Sequence, residues 1–258
     1  MKRSYRLVAL AIFALLGGIA TSATPIPTAK ENDKEKDRGE QAIDVGSFGV
    51  FMNGHRVGTE TFSVFQDRTG SVIKSEFKTE NDPSGGEAVQ SSEMHLTANG
   101  EIRRYDWREL SPERADSVVL PNDQFLNQKF STGPQAKEHE QPYLLPPSTS
   151  ILDDYFFIHR EILVWKFLAA SCKQDKGQVQ CPLKQRTQFG TLNPRQHSSA
   201  PLAAEFVGRE KIAFKGNLQE FNKVELKTEA GEWQLWLDDQ FKLVRIWIEG
   251  DKTEVIRD

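Results

Sequence analysis

The sequence predicts a mainly β domain: a single curved antiparallel sheet or half-barrel wrapped around one long apolar helix. Three observations carry that expectation. From residue 45 onward apolar and polar residues alternate at period two, the spacing of strands with one buried face. Asn53-Gly54 and Asn99-Gly100 are strong hairpin signals, because both central residues of a tight turn take positive φ. One segment, at about residues 150–170, abandons the alternation and is apolar around most of a helical circumference.

The strands follow in order. Phe48, Val50 and Met52 alternate up to Asn53-Gly54, and Phe62 and Val64 share one face of the run from Val57 to Phe65. Ile73, Ser75, Phe77 and Thr79 mark the next strand. Across Asn99-Gly100 a two-residue turn sets Met94 opposite Tyr105 and Ser92 opposite Trp107. Further strands are expected at 117–120, 125–130, 179–189, 204–214, 221–228, 232–237, 242–249 and 253–256. Their short returns favour an antiparallel meander. With Asp239-Gln240 as the last turn, Leu235 faces Val244, Trp233 faces Ile246 and Trp236 faces Leu243, so both faces of that hairpin are apolar. A half-exposed sheet is polar on one face; another strand pair, the Pro-rich loop or an apolar ligand must therefore cover the second.

In the helical segment Ser150 reads as the N-cap, with Asp153 and Asp154 just behind it. Ile151, Tyr155, Ile158, Ile162 and Trp165 form one apolar stripe; Leu152, Phe156, Leu163 and Phe167 form a second. The main polar positions are Asp153, Asp154, His159, Arg160, Glu161 and Lys166. Residues 133–148, with Pro134, Pro142, Pro146 and Pro147, read as an irregular loop and a candidate flap.

The 258 residues hold 33 Lys+Arg against 37 Asp+Glu and are 38% hydrophobic, an ordinary globular composition. A net charge of −4 with no long basic run argues against nucleic acid as a partner. Lys2, Arg3 and Arg6 precede an apolar run from Leu7 to Ala20 and then small residues to Ala23. This is the pattern of a signal peptide over 1–23, too short to span a bilayer, with an uncleaved anchor as the alternative. Cleavage after Ala23 removes three positive charges and no acid, taking −4 to −7 and leaving no transmembrane segment. Residues 24–44 carry ten charged residues and few aliphatics, and read as a disordered charged linker ahead of a β-rich domain over 45–258. The expected location is periplasmic or extracellular, which puts Cys172 and Cys181 in an oxidising compartment. A turn at Lys176-Gly177 sets the two opposite each other, within reach of a disulfide.

No nucleophile elbow, H-E-x-x-H, phosphate-binding loop or dinucleotide fingerprint occurs, and His55, His95, His139, His159 and His197 show no metal spacing. No catalytic residue, metal ligand or cofactor is therefore expected. Asp153 and Asp154 stand near His159 in sequence but diverge from it on a helix, and Asp238-Asp239 read as turn residues.

Three stretches together resemble known sequences: Gly46 to Gly54 running on to Val57–Phe62, Leu152 to His159, and Leu235 to Ile246. They are similar to uncharacterised exported bacterial proteins known only as domains of unknown function. A curved antiparallel sheet over an apolar helix is also similar in architecture to periplasmic lipoprotein-carrier half-barrels. These resemblances imply an exported β-rich protein and assign no functional residue. The expected function is that of a non-catalytic cell-envelope protein binding an apolar or acyl ligand, or a lipidated partner, between helix and sheet. Tyr155, Phe156, Trp165, Trp236 and Trp247 are the ligand-binding candidates. The alternatives are a structural or interaction protein with a filled core, and a hydrolase whose distant strands join His159 or His95 to a carboxylate and a nucleophile.

Overall fold

The computed structural model describes residues 39–80, 88–112, 114–133, 135–175, 178–229 and 231–258. The expected signal peptide and most of the expected linker lie outside them. Among the described residues no helix is long and apolar enough to cross a membrane.

In chain order the elements are β1 (Gln41–Met52), β2 (His55–Gln66), β3 (Gly70–Thr79), β4 (Val89–Thr97), β5 (Ile102–Ser111), β6 (Ala115–Asn122), β7 (Phe125–Ser131), β8 (His139–Tyr143) and β9 (Ser150–Ile151). Then come α1 (Ile158–Ser171), β10 (Lys173–Asp175), β11 (Gln178–Gln180), β12 (Arg186–Asn193), β13 (Ser198–Phe214), β14 (Asn217–Thr228), β15 (Gly231–Leu237), β16 (Leu243–Ile248) and β17 (Thr253–Arg257). Among the described residues fifteen strands form one sheet, in the order β8-β7-β6-β5-β4-β3-β2-β1-β17-β16-β15-β14-β13-β12-β9. Two meanders thus meet where β1 pairs with β17, Phe48 opposite Arg257 and Met52 opposite Thr253. Among the described residues β9 with β12 is the parallel pair; the rest of the ladder is antiparallel.

Chain connectivity forces the curvature. Laid flat, fifteen strands at about 4.8 Å spacing would separate the two edges by roughly 67 Å. Yet β8 and β9 are opposite edges, and the seven steps from Tyr143 to Ser150 reach at most about 25 Å. The sheet must curl, and α1 lies in the hollow. It touches strands far apart in the sheet: Phe157 N–H donates to Glu60 of β2, Leu243 N–H of β16 donates to Glu161, and Ser171 Oγ meets Thr187 Oγ1 of β12. One apolar cluster joins Ile158, Ile162, Leu163, Val164 and Phe167 of the helix to Phe62, Ile73, Tyr105, Leu235 and Ile246 of the sheet.

Local chemistry sets most of the hairpins. Asn53 and Gly54 take φ of 50° and 80°, and Met52 pairs with His55 across them. Met94 lies opposite Tyr105 and Ser92 opposite Trp107, the pairs expected from a two-residue turn. The turn there is longer than two residues, with Thr97 N–H on Glu101 O, and a bulge between His95 and Leu96 restores the register. Lys173 opposite Gln180 brings Cys172 and Cys181 together in a disulfide with Cα atoms 4.3 Å apart.

Six expectations are corrected. The helix is short, Ile158–Ser171, rather than a long one beginning at Ser150. Ser150 and Ile151 instead pair with Thr191 and Leu192, and Leu152 N–H donates to Leu192 O, so this backbone is committed to the sheet. The helix is not purely apolar either, since His159, Arg160 and Glu161 are all buried. The last hairpin is shifted by two residues: Leu235 pairs with Ile246, Trp233 with Ile248 and Trp236 with Arg245. Asp238 causes the shift by accepting from Gln240 and Lys242 N–H, which builds a longer turn through Phe241 at φ 57°. The expected linker reaches only to residue 40, because Gln41–Asp44 already belong to β1, where Arg257 and Lys242 neutralise the buried Asp44. The Pro-rich stretch is not all loop, since His139–Tyr143 adds edge strand β8, a place where Pro142 is tolerated. The run 179–189 is broken between β11 and β12.

Candidate functional site

The polar groups of α1 divide between its two ends. At the N-terminal end, helix N–H groups without intrahelical acceptors need a partner. Glu60 supplies it from β2: Oε2 accepts from Phe157 N–H at 2.6 Å, Oε1 from Ile158 N–H at 3.3 Å, and Oε1 also accepts from Ser75 Oγ at 2.7 Å. Burial pushes the Glu60 carboxyl up to about 7, against the pull of these hydrogen bonds and of Arg160. Arg160 is itself buried, and donates Nη1 to the carbonyls of Phe156, at 2.9 Å, and Asp153. Its guanidinium lies 4.2 Å from the Trp233 ring centre, and burial lowers its pKa to about 10. Asp153 accepts from Tyr105 OH and from Arg195, which is sandwiched 4.1 Å from Trp107 and 4.5 Å from Tyr155. One turn on, Glu161 accepts from Leu243 N–H at 2.7 Å; burial and the neighbouring Asp44 raise its pKa.

Glu60, Asp153, His159, Arg160 and Glu161 are each at most 1% exposed, so a substrate has no route to them in this conformation. They order the helix start. His159 packs between Tyr105 and Phe156 at 5.6 Å from each ring, and its two nitrogens bond neither a carboxylate nor a hydroxyl. His95 does pair with Glu93, at 2.7 Å, but on the other face of the sheet. It sits there in an open, charge-rich depression of about 630 Å³ with Lys74, Glu76, Arg104, Asp106 and Arg108.

The second half of α1 borders a cleft of about 780 Å³. Ile162, Trp165, Lys166 and Ala169 lie on one helical face and form its floor. Val64 and Leu96 on one side and Phe189 and Gly190 on the other form the walls, with the Asn99-Gly100 turn and Ser148 at the rim. The indole N–H of Trp165 donates to Phe241 O at 2.8 Å, which fixes the ring in place. Lys166 Nζ donates to Ser148 O at 2.8 Å, and burial lowers its pKa to about 8, against the attraction of Glu101. Behind Leu96, Ile162 and Lys166 is a void of about 10 Å³. It is lined by Thr149, Ser150 and His159, whose hydroxyls and ring nitrogens have no protein partner. A space of that size, with several polar partners, suits one water molecule.

The five ligand-binding candidates are not brought together. Trp165 lines the cleft. Phe156 is in the core beside His159, and Tyr155 packs on Phe77, 5.2 Å between ring centres, ahead of the helix. Trp236 and Trp247 belong to a second cluster, with Phe221 and Val244, on the sheet face that does not carry Leu235. There Lys223 and Arg245 flank the Trp236 ring, and its N–H donates to Glu210. The second apolar face of that hairpin is thus covered by side chains of the neighbouring strands. Sequence reasoning missed Glu60 as a site-ordering residue, although parity exposes it: Glu60, Phe62 and Val64 share the inward face.

No family model matches the sequence, and no curated protein matches it. Among solved structures the chain is similar to the crystal structure of a DUF1089 family protein from Pseudomonas aeruginosa. The likeness has 8% sequence identity and a TM-score of 0.43, over 74% of this chain and 90% of that one.

Proposed function

We propose that this chain is an exported, non-catalytic envelope protein that holds an apolar or acyl ligand, free or attached to a partner, in the cleft between α1 and the sheet. The observation that carries the reading is the cleft of about 780 Å³, inside the roughly 300–1,000 Å³ range of small-ligand sites. Its floor is the helix face of Ile162, Trp165, Lys166 and Ala169, with the Trp165 indole pinned by a hydrogen bond to Phe241 O. Export is supported by the basic-then-apolar start of the chain and by the Cys172–Cys181 bridge, which suits an oxidising compartment.

Native mass spectrometry of protein purified without detergent, followed by organic extraction, is expected to reveal a bound hydrophobic molecule. After extraction an environment-sensitive hydrophobic probe is expected to saturate at one per chain. Ala169→Trp fills the cleft from the exposed side of α1, and is expected to weaken probe binding at least tenfold with unchanged thermal unfolding. An empty protein that also ignores the probe overturns the proposal in favour of a structural protein with a filled interior.

A further inference from the structure

The two depressions described above differ in charge. The outer one carries seven ionisable residues of both signs, and its acids and bases pair with each other: Lys74 with Glu93, His95 with Glu93, Arg104 with Asp106. The helix cleft is lined by apolar and neutral polar residues and by a single charged one, Lys166. Its ammonium makes no ion pair among the described residues. One of its three N–H groups is satisfied by Ser148 O at 2.8 Å. The stem lies against the Asn99-Gly100 turn, where a Cβ on Gly100 would meet Lys166 Cγ at 3.6 Å. That packing holds the ammonium at the edge of the apolar floor, one turn from Ile162 and Ala169. An unpaired cation beside apolar surface is complementary to an amphiphile with one negative charge at the end of its tail.

We propose that the ligand of the helix cleft is a single-chain fatty acid, its carboxylate on Lys166 and its chain along Ile162, Trp165 and Ala169. The inference rests on the acyl-ligand reading above and narrows it to a charged head. The cleft, at about 780 Å³, has room for a single acyl chain. The other titratable groups near the ammonium are Glu101 and His159. Burial keeps His159 neutral, at about 3, so it adds no competing cation, and Glu101 attracts the ammonium without replacing the bond to Ser148. Because the Lys166 pKa lies at about 8, selectivity for the acid declines above that pH.

The test titrates the extracted full chain with palmitate, hexadecanol and a lysophosphatidylcholine of the same tail. Palmitate is expected to bind at least tenfold tighter than hexadecanol, and tighter than the zwitterionic phosphate lipid. Lys166→Met keeps the stem and removes the charge; it is expected to weaken palmitate at least tenfold, to the level of hexadecanol. Lys166→Arg is expected to retain the preference. Equal binding of acid and alcohol to the natural chain, tighter binding of the phosphate lipid, or an unchanged preference in Lys166→Met overturns the carboxylate assignment while the cleft reading stands. Binding of none of the three overturns both.

Discussion

The two halves of α1 are built on opposite terms. From Ile158 to Leu163 the helix buries a histidine, an arginine and a glutamate; Glu60 of β2 accepts from the N–H groups at the helix start, Trp233 of β15 lies against Arg160, and Leu243 of β16 donates to Glu161. From Trp165 to Ser171 it presents an indole, a lysine and two alanines along an open cleft, and Ala169 and Ala170 are exposed. Burying charge without full partnering is costly, so the first half fixes where the helix sits. The second half bears less of that load, Lys166 being its one charged residue on the cleft. One helix thus carries a buried polar start and a face on an open cleft, one turn apart.

The sharpest way to break this contrast is Arg160→Ala. It empties the space beside Trp233, frees the carbonyls of Asp153 and Phe156, and removes the charge that offsets Glu60. A loss of about 3–5 kcal/mol is expected in urea unfolding with an unchanged m-value. A loss under about 1 kcal/mol would mean that the first half is not the anchor.

Acidity separates the same groups more finely. Glu60 sits at about 7 against an ordinary 4.5, so the folded state holds the extra proton between these values. Its contribution is complete below the lower value and lost as pH rises toward the upper, on the order of 3 kcal/mol. His159, at about 3 against 6.5, runs the other way: its contribution is complete above 6.5 and lost as pH falls toward 3. Glu60→Gln is expected to gain on the natural chain as pH rises from 4.5 to 7, and His159→Phe to gain as pH falls from 6.5 to 3. Parallel stability curves for either variant would show that its group is not desolvated as the structure has it.

The smallest effects belong to the cleft. Gln188→Ala and Ala170→Gln line it without tying elements together, and each is expected to shift stability by less than about 0.5 kcal/mol. A larger shift in thermal melts would erase the distinction between the halves.

What the sequence discloses follows the range of the interactions involved. The Asn53-Gly54 hairpin, the alternation from β1 to β5 and the Cys172–Cys181 pairing are legible because a few neighbouring residues decide them. The start of α1 is not. Ser150 is a good cap by composition, but the sheet takes its backbone, and the acceptor for Phe157 N–H is Glu60, 97 residues away. The last hairpin slips because the Asp238 side chain outcompetes a two-residue turn. For the site, Trp165 is legible as part of an apolar stripe and Lys166 as one of the few polar breaks in it. That both border an opening between β4 and β12 depends on the curl of the whole sheet, which no short segment encodes.

The stretch from Leu144 to Thr149 acts as the chord of an open hoop. Pro147 O holds Ile102 N–H, Ser148 O holds Lys166, and Thr149 borders the inner void. Because this bowstring joins the two rims and also touches the mouth of the cleft, its length limits how far the two edges can stand apart. Extra residues beside the solvent-facing Leu144 would cost little in closure entropy, yet they would slacken the bow and widen the mouth, tuning the aperture without altering any residue that lines it.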